Sequence, residues 1–286
     1  MNNSLWLIRR EFWENRAIWL IPAVFGGLLI VAALFGHVDI PEVGSRPEAR
    51  DVGGIFLIAF GLMFFVVMSV YSTWYLLDCL YADRKDRSIL FWKSLPLSDT
   101  ETVLSKLVVG MLVIPVVYFI AADVTSLLAA FILSIRARAS LGSSLWQPDV
   151  WLQIQVLWLY AIVTSAIWYL PIAGWLLVVS AWAKRAVMLW SILPPLALCI
   201  IEKFLGTTVL WQILRQRLFG WPKVAVQGSI HRWAGDHVDP SEIPRSVWRL
   251  IDVSGFISNP QVWIGAAVGV ALIVGAIQLR MRRTEI

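Results

Sequence analysis

The chain has 286 residues, of which 59% are hydrophobic and 15% are charged, and its mean hydropathy is +0.73. A soluble protein of this length cannot bury so much apolar surface, so the composition excludes a soluble globular domain and indicates that lipid surrounds most of the chain. The net charge of +5 does not call for nucleic acid as a partner, because Lys and Arg collect on the cytoplasmic loops of membrane proteins.

Residues 1–16 predict an amphipathic helix that lies along the membrane surface before the first span. Apolar residues repeat there at helical spacing and charged residues occupy the other faces: Leu5, Ile8 and Phe12 against Arg9, Arg10 and Glu14. The apolar run that follows, from Ala17 to Phe35, is longer than the core of a signal peptide. We therefore expect this region to remain part of the protein.

Six apolar runs are long enough to cross a bilayer as helices. They are Ala17–Phe35, Ile55–Leu80, Leu107–Leu133, Trp151–Trp182, Ala186–Phe204 and Gln261–Leu279. The fourth run is unusually long, so it has to tilt, to project from the membrane or to break near Pro171 and Gly174. The fifth contains Pro194 and Pro195, which remove backbone donors, so neighbouring helices must cover the break.

Lys and Arg are concentrated in the segments that share one side of the membrane with the two termini. The positive-inside rule therefore predicts a single multi-pass domain, residues 1–286, in the cytoplasmic (inner) membrane with both termini in the cytoplasm. Residues 205–260 form a long outer loop before the last span. Apolar stripes at Val209–Leu218 and Ile243–Ile251 predict two amphipathic helices in this loop, either lying at the outer membrane surface or capping the bundle.

Residues 81–98 form a charge-dense segment between the second and third spans. Its charged part is followed by an apolar and aromatic patch: Asp83, Arg84, Lys85, Asp86 and Arg87, then Ile89, Leu90, Phe91 and Trp92. We expect a short helix from Asp83 to Lys93 that Pro96 ends, and a capping box at Ser98 and Glu101 that starts the third span. Two interpretations fit this pattern: a rigid knob that docks on another protein, or an amphipathic loop resting on the inner leaflet.

Several polar or small residues lie inside the predicted spans. Asp123 either lines the permease interface and contacts cargo or a cation, or is a structural carboxylate that is neutral or bonded to Ser, Thr or Tyr from a neighbour. Glu202 and its neighbour Lys203 are expected to snorkel to the membrane interface. Gly265 and Gly269 form a GxxxG motif, which packs within the bundle or across a dimer seam.

The chain has no motif of catalysis or nucleotide binding. The sequence contains no G-x-x-x-x-G-K-[ST], H-E-x-x-H, C-x-x-C or G-x-S-x-G pattern. His231, His237 and the aspartates between and after them do not have the spacing of a metal site, so they are interpreted as solvated loop residues. We therefore predict no catalytic residue and no metal site.

Residues 7–24, LIRREFWENRAIWLIPAV, and residues 81–107, YADRKDRSILFWKSLPLSDTETVLSKL, together resemble the permease subunits of type-2 ABC exporters. The six-span layout with a structured outer loop resembles them as well. The resemblance implies that a coupling helix, here Asp83 to Trp92, docks on a separate ATPase subunit, with Arg9, Arg10 and Glu11 beside it. It also implies a second permease chain, the same or different, and places ATP and Mg in the partner subunit.

The sequence therefore predicts an all-α, six-span permease subunit of an ATP-driven ABC exporter that moves cargo across the cytoplasmic membrane and is not itself an enzyme. Two alternatives stay open. One is a membrane-embedded lipid-modifying enzyme that uses Asp78, Asp83 and Asp86 at the inner boundary. The other is a non-conducting assembly or sensing subunit of a larger transporter.

Overall fold

A computed structural model describes residues 3–36, 46–85, 98–136, 146–226 and 247–282, and 91% of these residues are helical. Within these ranges the only β-pairing is an isolated bridge between Val226 and Ile251. Six of the helices are long and apolar enough to cross a membrane. The predicted class, an all-α membrane protein with six spans, is therefore confirmed.

The first half of the chain forms four helices, which are α1 (Asn3–Glu14), α2 (Ala17–Phe35), α3 (Arg46–Lys85) and α4 (Asp99–Arg136). The predicted N-terminal helix is confirmed as α1, which buries Leu7 and Glu11 and exposes Trp6 and Trp13. Helix α4 packs on both α2 and α3, while α1 packs on the first turns of α4. The beginning of α4 therefore lies between α1 and the rest of the bundle.

Helix α4 begins with the predicted capping box: the Ser98 hydroxyl accepts from the Glu101 amide, and the Glu101 carboxylate accepts from the Ser98 amide. Further along, residues Val109–Val113 form a π-helical turn just before Pro115. Proline cannot donate to the preceding turn, and a π-turn relieves that mismatch. Gly110 in this turn permits close approach to α3, because a Cβ added there would lie 2.6 Å from the Leu76 side chain.

The fourth apolar run breaks into α5 (Pro148–Trp168) and α6 (Leu170–Trp182) at Tyr169. Pro171 lies in the first turn of α6, where a backbone donor has no partner within the helix and its loss costs nothing. The break therefore falls beside the predicted position. Helix α6 packs against α3 and, most extensively, against the last helix, α11 (Pro260–Arg282).

Helix α7 (Val187–Phe204) continues through Pro194 and Pro195 without a break. Pro195 leaves the Ser191 carbonyl without its helical partner, and the indole N–H of Trp175 in α6 donates to this oxygen at 3.0 Å. A neighbouring helix thus covers the carbonyl, as the sequence predicts. Val187 is the only buried residue of α7, so most of its apolar surface faces outward from the described bundle.

The described part of residues 205–260, the predicted outer loop, contains α8 (Val209–Phe219), α9 (Trp221–Ala225), a 3-10 turn (Val247–Leu250) and α10 (Val253–Ser258). The first predicted amphipathic helix is confirmed as α8. The second is wrong in its described part, because a single 3-10 turn occupies that place and Ile251 pairs with Val226 instead.

Glu202 has a partner within the protein that the prediction of snorkelling did not include. Its carboxylate turns back to the start of α8 and accepts from the Leu210 amide at 2.8 and 2.9 Å and from the Trp211 amide at 3.2 Å. Free amides at a helix N-terminus attract an anion. Only a short connection separates the end of α7, where Glu202 lies, from the first amides of α8. The carboxylate thus joins the end of α7 to α8.

The GxxxG motif packs within the chain. Gly265 faces the guanidinium of Arg217 from α8, and a Cβ added at Gly269 would lie 2.8 Å from the backbone of Leu170 in α6. Arg217 also lies over the Trp168 ring, 4.5 Å from its centroid, and donates to the Gln261 carbonyl. The two glycines let α8 and α6 approach α11, which explains the motif without a dimer seam.

Candidate functional site

Five ionisable side chains from four helices meet where α3 ends and α4 begins. This ion network consists of Glu11 in α1, Asp83 in α3, Asp99 and Lys106 in α4, and Arg280 in α11. At its centre the Lys106 ammonium lies 2.9 Å from a Glu11 oxygen and 3.2 Å from an Asp83 oxygen. One lysine therefore ties the N-terminal helix to the end of the second span.

Arg280 joins the two ends of the charge-dense segment. Its Nη1 lies 3.2 Å from Asp83 Oδ2, and its Nε lies 2.9 Å from Asp99 Oδ1. Asp83 comes just before residues 86–97 and Asp99 just after them. A single guanidinium of the last helix thus binds both sides of the base from which that segment extends.

The buried carboxylates of the network receive further hydrogen bonds. Glu11 accepts from the Tyr75 hydroxyl at 2.8 Å and from the Asn15 side-chain amide at 3.2 Å. The side chains of Glu11 and Lys106 are each only 3% exposed. Charges buried this deeply are tolerated only when they are paired and fully hydrogen-bonded. Such a network fixes one geometry among its helices more than it raises overall stability.

A second set of contacts ties the end of α3 to the end of α6. Arg84 donates to the Ala183 carbonyl at 2.9 Å and also to the Ser180 carbonyl. The Ser180 hydroxyl accepts from the backbone amides of Leu80 and Tyr81, each at 3.1 Å. Together with the ion network, these contacts connect the last turn of α3 to α1, α4, α6 and α11.

The structure changes the roles predicted for several site residues. Glu11 and Asp83 were expected on a surface that contacts a partner, but they are 3% and 8% exposed and lie inside the bundle. The pairing with Lys106 and Arg280 draws them inward. Arg84 likewise turns to α6, and the predicted short helix does not begin at Asp83, because α3 continues to Lys85.

The other predicted docking residues stand as follows. Arg9 and Lys85 are exposed, while Arg10 is half-buried and pairs with Glu14 at 2.7 Å. Asp86, Arg87, Ile89, Leu90, Phe91 and Trp92 lie outside the described residues, as do the three histidines. Within the described ranges, no three His, Cys, Asp or Glu side chains are grouped as metal ligands.

A cleft of about 420 Å³ lies between α1 and α3 beside the ion network. Its walls include Arg10, Glu14, Trp74 and Asp78 as well as the network residues Glu11, Asp83 and Lys106. Trp74 and Asp78 are exposed at its edge. The network is therefore buried on the bundle side and bordered by a polar cleft on the other.

Asp123 lies in α4 beside a small cavity of about 30 Å³ between α3, α4 and α5, which we call the Asp123 cavity. The side-chain amide of Gln155 in α5 lines the same cavity and lies near the Asp123 carboxylate. Tyr118 Oη, Gln155 Oε1 and Trp158 Nε1 have no hydrogen-bond partner among the described residues, and all three residues line this cavity. The space is sufficient for a water molecule that would satisfy them. A transport role for Asp123 remains a prediction.

Sequence reasoning missed four partners in these sites: Lys106, Asp99, Arg280 and Gln155. The three charged residues lie at the ends of spans, where helix capping and the positive-inside rule already account for them. Gln155 lies in an apolar run, where a lone amide gives a weaker signal than a carboxylate does. A useful signal was the position of Lys106 within the first three turns of a span, because a lysine at that depth needs a carboxylate partner.

These observations define an all-α, multi-pass membrane protein whose helices are locked together by buried ions at one end of the bundle. Comparisons with known protein families, with curated proteins and with solved structures give no match for this chain.

Proposed function

We propose that this chain is the permease subunit of an ATP-driven exporter of the cytoplasmic membrane, driven by a separate ATPase that docks on residues 86–97. The observation that carries the proposal is the bridge made by Arg280 between Asp83 and Asp99. A segment with charged and aromatic residues extends from a base that is fixed on both sides. Such a base suits a segment through which a partner applies force.

The connections of this base supply a mechanical route. A displacement of residues 86–97 acts first on the end of α3 and the start of α4. Because Asp83 and Asp99 are bound by Arg280, and Asp83 also by Lys106, the displacement continues into α11 and α1. Separating a buried ion pair costs several kcal/mol, so these helix ends move together rather than apart.

The contacts of Arg84 extend the route to α6, which packs most extensively on α11. Docking on one short segment therefore shifts four membrane helices and the N-terminal helix as one body. The apolar face of α7 remains for lipid or for the second permease chain, alike or different, that an exporter of this type requires. Nucleotide and Mg bind to the ATPase subunit in this proposal.

The two alternatives compare differently with the site. A lipid-modifying enzyme would use Asp83 as an acid or base, but Lys106 and Arg280 already occupy this carboxylate. A non-conducting subunit would share the docking segment and differ only in lacking a cargo path. The permease proposal therefore accounts for more of the described contacts of Asp83 than the enzyme alternative does.

Affinity purification of the tagged full-length protein from its native membrane tests the proposal. We expect an ATP-binding subunit to be recovered with the wild-type protein and to be lost when Phe91 and Trp92 are both replaced by Asp. The matched control is Phe204→Asp, which changes an aromatic residue that is 87% exposed at the far end of α7. Recovery of the same ATPase with all three proteins contradicts the docking role of residues 86–97.

A further inference from the structure

A second cavity, which we call the serine cavity, lies next to the Asp123 cavity. It is enclosed by α3, the π-turn of α4, Ser165 and Ala166 at the end of α5, and α6, and its volume is about 230 Å³. Phe65, Met68 and Pro115 line both cavities. The α3 face that borders the two, from Leu57 to Leu76, is roughly 28 Å long, which approaches the thickness of a hydrocarbon core.

The breaks in regular helix geometry produce the serine cavity. The π-turn before Pro115 widens α4, and the break at Tyr169 separates α5 from α6 at the same level. Straight, regularly wound helices that pack against each other interlock their side chains and leave no such cavity. Here the two irregular turns line one cavity together with α3, and the gap between them stays open.

The hydroxyl groups around the serine cavity leave it rich in acceptors. Four of them already donate within the protein: Ser69 to the Phe65 carbonyl at 2.8 Å, Thr73 to the Ser69 carbonyl at 2.8 Å, Ser165 to the Ile162 carbonyl at 3.0 Å, and Tyr169 to the Leu218 carbonyl at 3.1 Å. Each hydroxyl oxygen still has a lone pair.

Ser72 is the exception among these hydroxyls. Its oxygen is buried and has no hydrogen-bond partner among the described residues. A buried polar atom without a partner destabilises the protein, and a ligand in the cavity that bonds to it would remove this cost. Among the described residues, no charged side chain lines the cavity.

These properties select the chemistry of a ligand. An ion is disfavoured, because its charge would be buried in an uncharged site within the membrane. A ligand group that can only accept hydrogen bonds is also disfavoured, because most of the surrounding hydroxyl groups already donate their proton to a backbone carbonyl. A neutral group that donates a hydrogen bond, attached to an apolar body, satisfies both the hydroxyl oxygens and the apolar walls. A volume of 230 Å³ exceeds the roughly 150 Å³ that holds a benzene-sized molecule.

We propose that the serine cavity binds the hydroxyl end of a lipophilic alcohol that partitions into the bilayer. Thr73 and Leu218 line the cavity and are exposed, so they mark an opening toward the surrounding membrane. The hydroxyl end enters between them and meets Ser72, while the remaining hydrocarbon chain extends into lipid. This binding needs no ATPase, so its test is independent of the function proposed above.

Photolabelling of the purified full-length chain in lipid nanodiscs tests this inference. The probe is hexadecanol that carries a diazirine next to the hydroxyl end and an alkyne at the other end. We expect labelled peptides to come from the segments around Ser72 and Ser165. Unlabelled hexadecanol should compete, whereas its methyl ether, which cannot donate, should need at least about a fivefold higher concentration.

Two variants locate the site. Ala166→Phe fills the cavity from α5 and should abolish labelling of these segments, whereas Val163→Phe, on an exposed position of the same helix, should leave it unchanged. Ser72→Ala removes only the unpartnered hydroxyl. It should reduce labelling at least about fivefold while the unfolding temperature stays the same or rises, since no bond within the protein is lost.

Three results overturn the inference. Equal labelling of wild type and Ala166→Phe means that the probe marks lipid-facing surface and that the cavity holds only water. Equal competition by the alcohol and its methyl ether removes the role of the donated hydrogen bond. Stronger competition by hexadecanoate than by hexadecanol assigns the cavity to an anion instead.

Discussion

Replacing Lys106 by Met tests the ion network directly. The substitution keeps most of the side-chain volume but removes the cation that lies 2.9 Å from Glu11 and 3.2 Å from Asp83. Because Lys106 and Glu11 are each only 3% exposed, water cannot take the place of the ammonium group. Removing one partner of a buried pair costs about 3–5 kcal/mol, and with two carboxylates affected we expect the upper part of this range.

The measurement is the free energy of unfolding of the purified protein in mixed micelles, followed by the fluorescence of its 17 tryptophans. Adding Glu11→Gln to Lys106→Met should restore part of the loss, because one of the uncompensated charges is then neutral. The coupling between the two positions should be about 1–3 kcal/mol in a double-mutant cycle.

The matched control is Glu14→Gln, which breaks the pair with Arg10 in the same region, where the Glu14 side chain is 50% exposed. We expect this change to cost at most about 0.5 kcal/mol, as is usual for exposed helical pairs. If Lys106→Met costs no more than Glu14→Gln, solvent from the neighbouring cleft screens the network, and the reasoning from burial is refuted.

Three further predictions concern the packing that holds the bundle together. Gly269→Ala should destabilise the protein by about 1–3 kcal/mol, because the added Cβ would lie 2.8 Å from the backbone of Leu170. Gly275→Ala in the same helix should be neutral, because its nearest neighbour lies at 4.0 Å. Equal unfolding temperatures for the two variants would refute the close approach at Gly269. Trp175→Phe should cost about 1–3 kcal/mol in unfolding free energy, since the Ser191 carbonyl loses its donor, and an unchanged value would show that another group replaces the indole. Glu202→Gln should lower the unfolding temperature through the weakened cap of α8, and an unchanged temperature would mean that the carboxylate does not stabilise this helix.

The elements that the sequence predicted well are those set by local physics. The number of spans follows from apolar length, and the start of α4 follows from Ser98 and Glu101, which form their capping bonds within one turn. The break of the fourth run at Tyr169 is one of the three outcomes that its length allowed, and it falls beside Pro171. None of these predictions depends on residues that are far apart in the chain.

The ion network could not be predicted in the same way. Its partners are separated by as many as 197 positions, as in the pair of Asp83 and Arg280. Periodicity shows which face of a helix is polar but not which polar residue of another helix it meets. The same limit explains Glu202: its partner amides became predictable only once the chain was known to turn back after α7.

Glu11 illustrates why a resemblance can misplace a residue. Its position beside Arg9 and Arg10 on a surface helix favoured a contact with a partner protein. The helix buries one edge, however, and Leu7 and Glu11 lie on this edge while Arg9 is exposed. Only the positions of Lys106 and Tyr75, supplied by other helices, decide which face of α1 turns inward.

The measurement that tests the account most directly is site-specific photocrosslinking in the native membrane, with a photoreactive residue at position 92. The account predicts a crosslink from this position to a separate polypeptide that contains a G-x-x-x-x-G-K-[ST] nucleotide-binding motif. The same photoreactive residue at Val66, which is 55% exposed on α3, should crosslink to lipid and not to that polypeptide. Crosslinks from position 92 to phospholipid alone, in membranes where the ATPase is present, would contradict the account.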